Sequence, residues 1–447
     1  MTATRTWIWP ALLAAQIALV GVFVLSPGLA VALALGVVVA VVVLEWPVLG
    51  VGLIVAARVI GSEALTFVRV GPLGLGLYEA LAILCLPALA HAAVSRGRSL
   101  WVGWSWKWPF LALVGWGVLS LSWSANPTEG VDSLVPVLPV LFNTTLVLVF
   151  VRSLEDVRTV LWCWLAAAVL VCLATLLVNL TGTDVGAVAF EAASRGGRET
   201  GLGQQPNWFA MTLYFIVPSG FALAFIERGP RRLLALGASA LVGIVMVSSG
   251  SRGGATACLL ALLVASAGSV RVRFWLLRTL AAGVAAFGLA FVLDPGGIAR
   301  AIGRIVEGTG VMANFRPWNW QACIEMFVDS RGLGVGLGGY AELLRGYNPF
   351  LAQTLYNYPH GVFWQVLAHL GVVGLVLLGW GAWRVVRMQA EAARLAGDRP
   401  LRVLVWVMSG TLVGYVGWTF FEFALMEKPF YEFLALATAL HAVLRRS

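Results

Sequence analysis

The sequence predicts an all-α, polytopic membrane protein, and three observations carry that prediction. Of the 447 residues, 60% are hydrophobic and only 11% charged, where a soluble domain carries about 25% charged residues. Apolar runs of about 17–25 residues recur along the chain, each long enough for one helix across a bilayer. Arginines and lysines cluster in alternate connections, following the bias of basic residues toward the cytoplasmic side.

Taken in order, the apolar runs place spans at 8–25, 28–44, 47–60, 77–94, 109–123, 133–151 and 159–180. The second half continues with 206–226, 233–248, 255–269, 279–293, 361–383, 402–421 and 429–444. That is about fourteen spans, the first three and last two being the least defined, so that the expected number is twelve to fourteen. The whole chain, 1–447, reads as a single membrane domain with both termini on the cytoplasmic side. Thr2 to Pro10 leads into the first span with no small-residue cleavage site, so no cleavable signal is expected. WVGWSWKW (101–108) reads as an interfacial aromatic belt, and 388–400 as a polar inner loop. Two outer connections are long: 181–205, and 294–360, which holds an amphipathic helix at 318–330. The final segment, 361–444, holds the C-terminal transmembrane helices.

Net charge is +9, and of 30 basic residues only Lys107 and Lys428 are lysines. A GC-rich genome accounts for most of that arginine excess. Outer loops, however, should be poor in arginine, and here they are not. Arg198 lies in 181–205, Arg252 in the turn SGSRGG (249–254), and Arg300, Arg304, Arg316, Arg331 and Arg345 in 294–360. Two roles are open for Arg198 and Arg252: lipid-headgroup contact, or a diphosphate site, since the planar guanidinium fork binds phosphate bidentately. Arg316 is a third candidate for the diphosphate. Arg300 and Arg304, four apart, read as a solvated stripe.

Tyr358-Pro359-His360 closes the large loop. Proline suits the first turn of a helix, so His360 is expected at a helix start. The positive helix end there disfavours an imidazolium, which leaves the neutral ring that a general base needs, and it favours a bound anion. The alternative is an interfacial histidine with a satisfied hydrogen bond. His369, nine residues on, lies about half a turn out of phase and reads as a packing residue. Gly334, Gly336 and Gly339 match G-x-G-x-x-G, but the dinucleotide fingerprint needs a βαβ unit; these glycines read instead as permitting a tight backbone path. The five cysteines and four histidines lack metal-ligand spacing, and Asp294, Glu307 and Glu325 are isolated. A mechanism without metal or cofactor is expected. Few charges occur in the spans, most clearly from the eighth to the twelfth, which speaks against an ion-coupled transporter.

Four blocks in order carry a family resemblance: RETGLGQQPNWFA (198–210), SGSRGG (249–254), RPWNWQACIEMFVDSRGLGVGLGGY (316–340) and PHGVFWQVLAHLGVVGL (359–375). Arg198 to Leu202 fits R-x-x-x-L, and His360 with Gly371 fits H-x(10)-G. Together they resemble the O-antigen ligase and polymerase superfamily of bacterial inner-membrane glycosyltransferases, and O-antigen ligase above the rest. The sequence departs from that family at Gly361, where asparagine is usual. The resemblance implies a GT-C type fold in the bacterial inner membrane with a periplasmic site. It implies transfer of a glycan from undecaprenyl diphosphate to a hydroxyl of lipid A-core or another glycan acceptor. Membrane lipids are the surrounding partners, and no nucleic acid is involved. His360 would be the base, and Arg198, Arg252 and Arg316 would hold the diphosphate. An O-antigen or exopolysaccharide polymerase and a protein O-oligosaccharyltransferase share this chemistry; a lipid or polysaccharide transporter is the reading from another class.

Overall fold

The computed structural model describes residues 38–60, 66–70, 73–95, 104–181, 206–270, 312–349, 358–397, 399–422 and 425–446, with a few isolated positions besides. The expected spans at 8–25 and 279–293 and the outer loop 181–205 lie outside the described residues.

The described chain is helical in the way a bilayer demands. Lipid offers no partner for backbone N–H or C=O, so a spanning segment must satisfy its own hydrogen bonds. Six stretches are long and apolar enough to cross: 127–150, 154–177, 207–226, 229–248, 362–395 and 400–419. They are built from α4 (Pro127–Leu134) and α5 (Val137–Phe150), α6 (Leu154–Thr181), α7 (Pro206–Tyr214) and α8 (Ile216–Ile226), α9 (Gly229–Ser248), α13 (Val362–Leu395) and α14 (Arg399–Thr419). Shorter apolar helices are α1 (Pro47–Ile60), α2 (Leu77–Ser95) and α10 (Arg252–Gly268). Further described helices are α3 (Lys107–Ser120), α11 (Met312–Asp329), α12 (Gly339–Tyr347) and α15 (Lys428–Leu444). The chain is an all-α, multi-pass membrane protein.

Local sequence explains the boundaries. Before α6, the backbone N–H groups of Arg152 and Ser153 both donate to Asp156 Oδ2 at 2.8 Å, and Asp156 N–H donates back to Ser153 Oγ. This reciprocal cap satisfies donors that a helix start leaves open. Residues 388–395, expected as a polar loop, instead continue α13. RMQAEAARL is rich in strong helix formers, and Met388, Gln389 and Ala392 are buried on one face. The amphipathic helix of the large loop begins at Met312, six residues before its expected start, and runs through Pro317. The 61–76 connection contains an antiparallel ribbon, Thr66–Val70 paired with Leu73–Gly76, with the turn signal Gly71-Pro72 between the strands.

The flanking spans hold ions that the central ones lack. Arg58 of α1 lies 3.6 Å from Glu432 of α15 and 3.4 Å over the Tyr78 ring of α2. Asn143 of α5 donates to Glu432 at 3.0 Å and also contacts the Tyr78 hydroxyl. Opposite charges thus meet inside the bundle, where an unpaired charge is costly.

One helix is broken by design of the backbone. Gly371 in α13 has φ 61° and ψ −153°, a conformation essentially reserved for glycine. The break frees carbonyls at a depth where water is scarce. The glycine-rich run after α11 supplies their donors: Val335 N–H bonds Ala368 O at 2.8 Å and Gly336 N–H bonds His369 O at 2.9 Å. Trp116 Nε1 of α3 donates to Leu370 O at 2.9 Å, and Val372 N–H donates to Gly332 O. This is the tight path expected of the 334–339 glycines. A β-carbon at Gly371 would fall 2.1 Å from Gly332 O. Gly371→Ala should therefore cost about 1–3 kcal/mol in backbone strain alone, read as a lower melting temperature of the purified protein; an unchanged melting temperature would contradict the packed break.

Candidate active site

Three elements converge at one end of the bundle: α11, the segment 358–361 leading into α13, and the turn after α14. Their meeting is built from aromatic rings. Trp320 of α11 stacks on Trp364 of α13, with centroids 5.1 Å apart and planes at 15°. Phe420 and Phe421 close on Trp320 at 6.1 and 6.0 Å. Phe363 stacks on Phe420 at 5.6 Å. Such ring pairs contribute about 0.5–1.5 kcal/mol each beyond area burial. Leu425 N–H bonds Gln365 Oε1 at 2.8 Å, tying the same turn to the first helical turn of α13.

Gly361 sets the approach. Its φ of 129° cannot be helical, so it caps α13, which begins at Val362. Pro359 and His360 therefore lie just before the helix, and not in its first turn as expected. A β-carbon on Gly361 would sit 2.4 Å from Phe420 O. The side chain that the family usually carries after the histidine has no room here.

Through that contact, His360 meets Glu422. His360 Nδ1 lies 3.8 Å from Glu422 Oε1, an ion-pair distance beyond a hydrogen bond. The other carboxylate oxygen, Oε2, takes the Arg316 guanidinium. His360 and Glu422 side chains are only 8% and 10% exposed, while Arg316 is 34% exposed. A buried carboxylate thus joins a buried imidazole to a cation that reaches solvent. Burial pushes the Glu422 carboxyl up, but His360 and the Arg316 charge outweigh it and hold the group below its ordinary value of 4.5. The His360 backbone is fixed as well: its carbonyl accepts from Trp320 Nε1 at 3.3 Å and its N–H donates to Tyr358 O at 2.9 Å. The Tyr358 ring lies 4.0 Å from the imidazole.

Arg252 belongs to the same end of the bundle. It is the first residue of α10, after Ser251, whose side chain accepts from Gly254 N–H at 3.3 Å. Gly253 packs closely against the indole of Trp418, the residue whose carbonyl accepts from Phe421 and Glu422 N–H. Arg252 is exposed beside the Glu422 turn. A guanidinium at the positive end of a helix is disfavoured by about 0.3–1 kcal/mol, so its position calls for an anion. His369 is buried and stacks with Tyr340, centroids 6.1 Å apart. Arg198, Arg300 and Arg304 lie outside the described residues.

Glu422 is the residue that sequence reasoning missed. It follows a hydrophobic span in FFEFALMEKPF and belongs to none of the four blocks. Its only sequence signal was an acid in a short connection between two spans.

Comparison with known proteins adds one finding. Residues 237–379 match the family model described as O-antigen ligase. Over that stretch the chain is similar to the O-antigen ligase family. The match covers Arg252, Arg316, His360 and the Gly371 break, and ends before Glu422. No curated protein matches the chain.

Two outcomes follow. Gly361→Asn should force Phe420 O aside and lower both melting temperature and transfer activity with His360 and Glu422 intact; full activity would show that the contact does not set the site. Because the Glu422 group is depressed, its ionic contribution is complete above pH 4.5 and is lost progressively as pH falls from there through the lower folded value. The difference in melting temperature between wild type and Glu422→Gln should stay constant from about pH 7 down to about pH 5 and shrink progressively as pH falls from 4.5 to the lower folded value. Shrinkage between neutral pH and pH 5 would overturn the assignment.

Proposed function

We propose that this ligase-family enzyme transfers a glycan from undecaprenyl diphosphate to a hydroxyl of lipid A-core, with His360 as general base. The observation that carries the reading is the convergence of His360, Glu422 and Arg316 at one end of the bundle. The imidazole takes the acceptor's hydroxyl proton on Nε2 as that oxygen bonds the anomeric carbon. The anomeric carbon–phosphate bond breaks, and undecaprenyl diphosphate leaves with its electron pair. Glu422, facing Nδ1, orients the ring and stabilises the imidazolium that forms, the part a buried carboxylate plays in a histidine-based triad.

Charge on the leaving diphosphate needs cations that strengthen their hold as it develops. Arg316 and Arg252 fit that task, with Arg198 as a third. Arg316 shares its guanidinium with Glu422 and so links leaving-group binding to orientation of the base. The loop-bearing end, with 181–205 and 294–360, faces the periplasm in this reading, and the chain sits in the bacterial inner membrane with both termini cytoplasmic.

The test is an assay of purified protein with a lipid-linked glycan and lipid A-core. General-base catalysis contributes about 10²–10⁴-fold, so His360→Ala should lose that much activity while keeping its melting temperature. Arg252→Ala should raise the KM for the lipid-linked donor more than it lowers kcat. Near-normal transfer by His360→Ala would sink the base assignment. A longer glycan on the carrier, with none on lipid A-core, would replace the ligase reading with that of a polymerase.

A further inference from the structure

A second candidate site lies at the opposite end of the bundle. Four helix ends meet there: the start of α6, the end of α8, the start of α9 and the start of α14. They enclose a cavity of about 460 Å³ bordered by Leu154, Ile226, Leu401, Arg158, Arg228 and Arg231. Its position relative to the His360 site is set by α14. Pro400 borders the cavity, and Thr419, at the far end of that helix, leads into the Glu422 turn. At 1.5 Å per residue the two sites are about 30 Å apart, one bilayer core thickness.

The lining divides by chemistry. Leu154, Ile226 and Leu401 make an apolar wall at the ends of membrane-spanning helices. Arg158 is occupied by acids: Nη1 bonds Glu155 Oε2 at 2.9 Å and Nη2 pairs with Glu227 Oε1 at 3.2 Å. Trp162 Nε1 also donates to that Glu227 oxygen at 3.1 Å, so this carboxylate, which lines the cavity too, has its charge matched by Arg158. Arg228 and Arg231 are exposed and form no ion pair among the described residues. The cavity mouth therefore carries two uncommitted guanidinium groups over an apolar floor. Its volume falls within the ordinary range for small-ligand sites.

From this we infer a phosphate-binding site distinct from the transfer site, formed by Arg228 and Arg231 at the mouth of the α6–α8–α9–α14 cavity. Guanidinium pairs recognise phosphate oxygens bidentately. The apolar wall beside them suits the glycerol and upper acyl region of an anionic phospholipid, and basic pockets between spanning helices hold such headgroups. A free phosphate would use the arginines alone and leave the wall idle.

The test uses the full chain in detergent and follows melting temperature against added ligand: phosphatidylglycerol, phosphatidylcholine or inorganic phosphate. Wild type should be stabilised saturably by phosphatidylglycerol. Arg228→Ala/Arg231→Ala, which alters two exposed residues, should need about tenfold more lipid or above for the same shift, equivalent to one lost charge-assisted contact. Stabilisation by inorganic phosphate alone, lost in the double variant, would support the phosphate site and name a soluble anion as its source. Equal stabilisation by phosphatidylcholine, no stabilisation by either anion, or an unaltered response in the double variant would overturn it.

Discussion

The site depends on a backbone requirement inside the membrane. A helix interrupted within a bilayer exposes carbonyls that lipid cannot satisfy. In α13 the interruption at Gly371 falls roughly 14 Å below the helix start. Val335, Gly336 and Trp116 donate to the freed oxygens of Ala368, His369 and Leu370. The glycine-rich run must therefore descend into the bundle, and it brings α11 and α12 with it. Arg316 rides on α11, so its reach toward His360 is a consequence of how Gly371 is satisfied. Buried residues around this run, Ala322, Cys323, Met326 and Ala368, pack into one cluster with Tyr340 and Leu344 and fix the descent.

A second constraint completes the constellation. Gly361 and the carbonyl of Phe420 touch with no space for a side chain. That contact sets the α14–α15 turn against the start of α13, and Glu422 with it. The ion pairs then follow: a carboxylate with one oxygen toward an imidazole and the other on a guanidinium. Neither partner is on the same helix as Glu422, and Arg316 is 106 residues away in sequence. In this account base and leaving-group cation are coupled through one acid, which matches a reaction in which proton removal and diphosphate departure happen around the same sugar carbon.

Much of the fold was legible because a bilayer restricts what sequence can do. Long apolar runs between basic clusters gave the central spans, and the helices at 229–248, 252–268 and 400–419 overlie runs readable from composition. The boundaries were less legible where tertiary contacts decide them. RMQAEAARL looked like a polar loop, but its buried face continues α13. The break at Gly371 follows from donors supplied by a distant segment, which no local pattern specifies. His360, Arg252 and Arg316 stood out as polar residues in outer stretches. Glu422 did not, since an acid in a short turn acquires meaning only when folding brings an imidazole and a guanidinium to it.

The central claim is that His360 and Glu422 act as one unit, and a double-mutant cycle on the rate of glycan transfer tests it most directly. Wild type, His360→Ala, Glu422→Gln and the double variant would be compared at saturating donor and acceptor. Residues that act through one another are strongly non-additive. The account predicts that the double variant transfers at the rate of His360→Ala alone, the carboxylate having no ring left to orient. Penalties that multiply would mean that Glu422 acts independently of His360, and would contradict it.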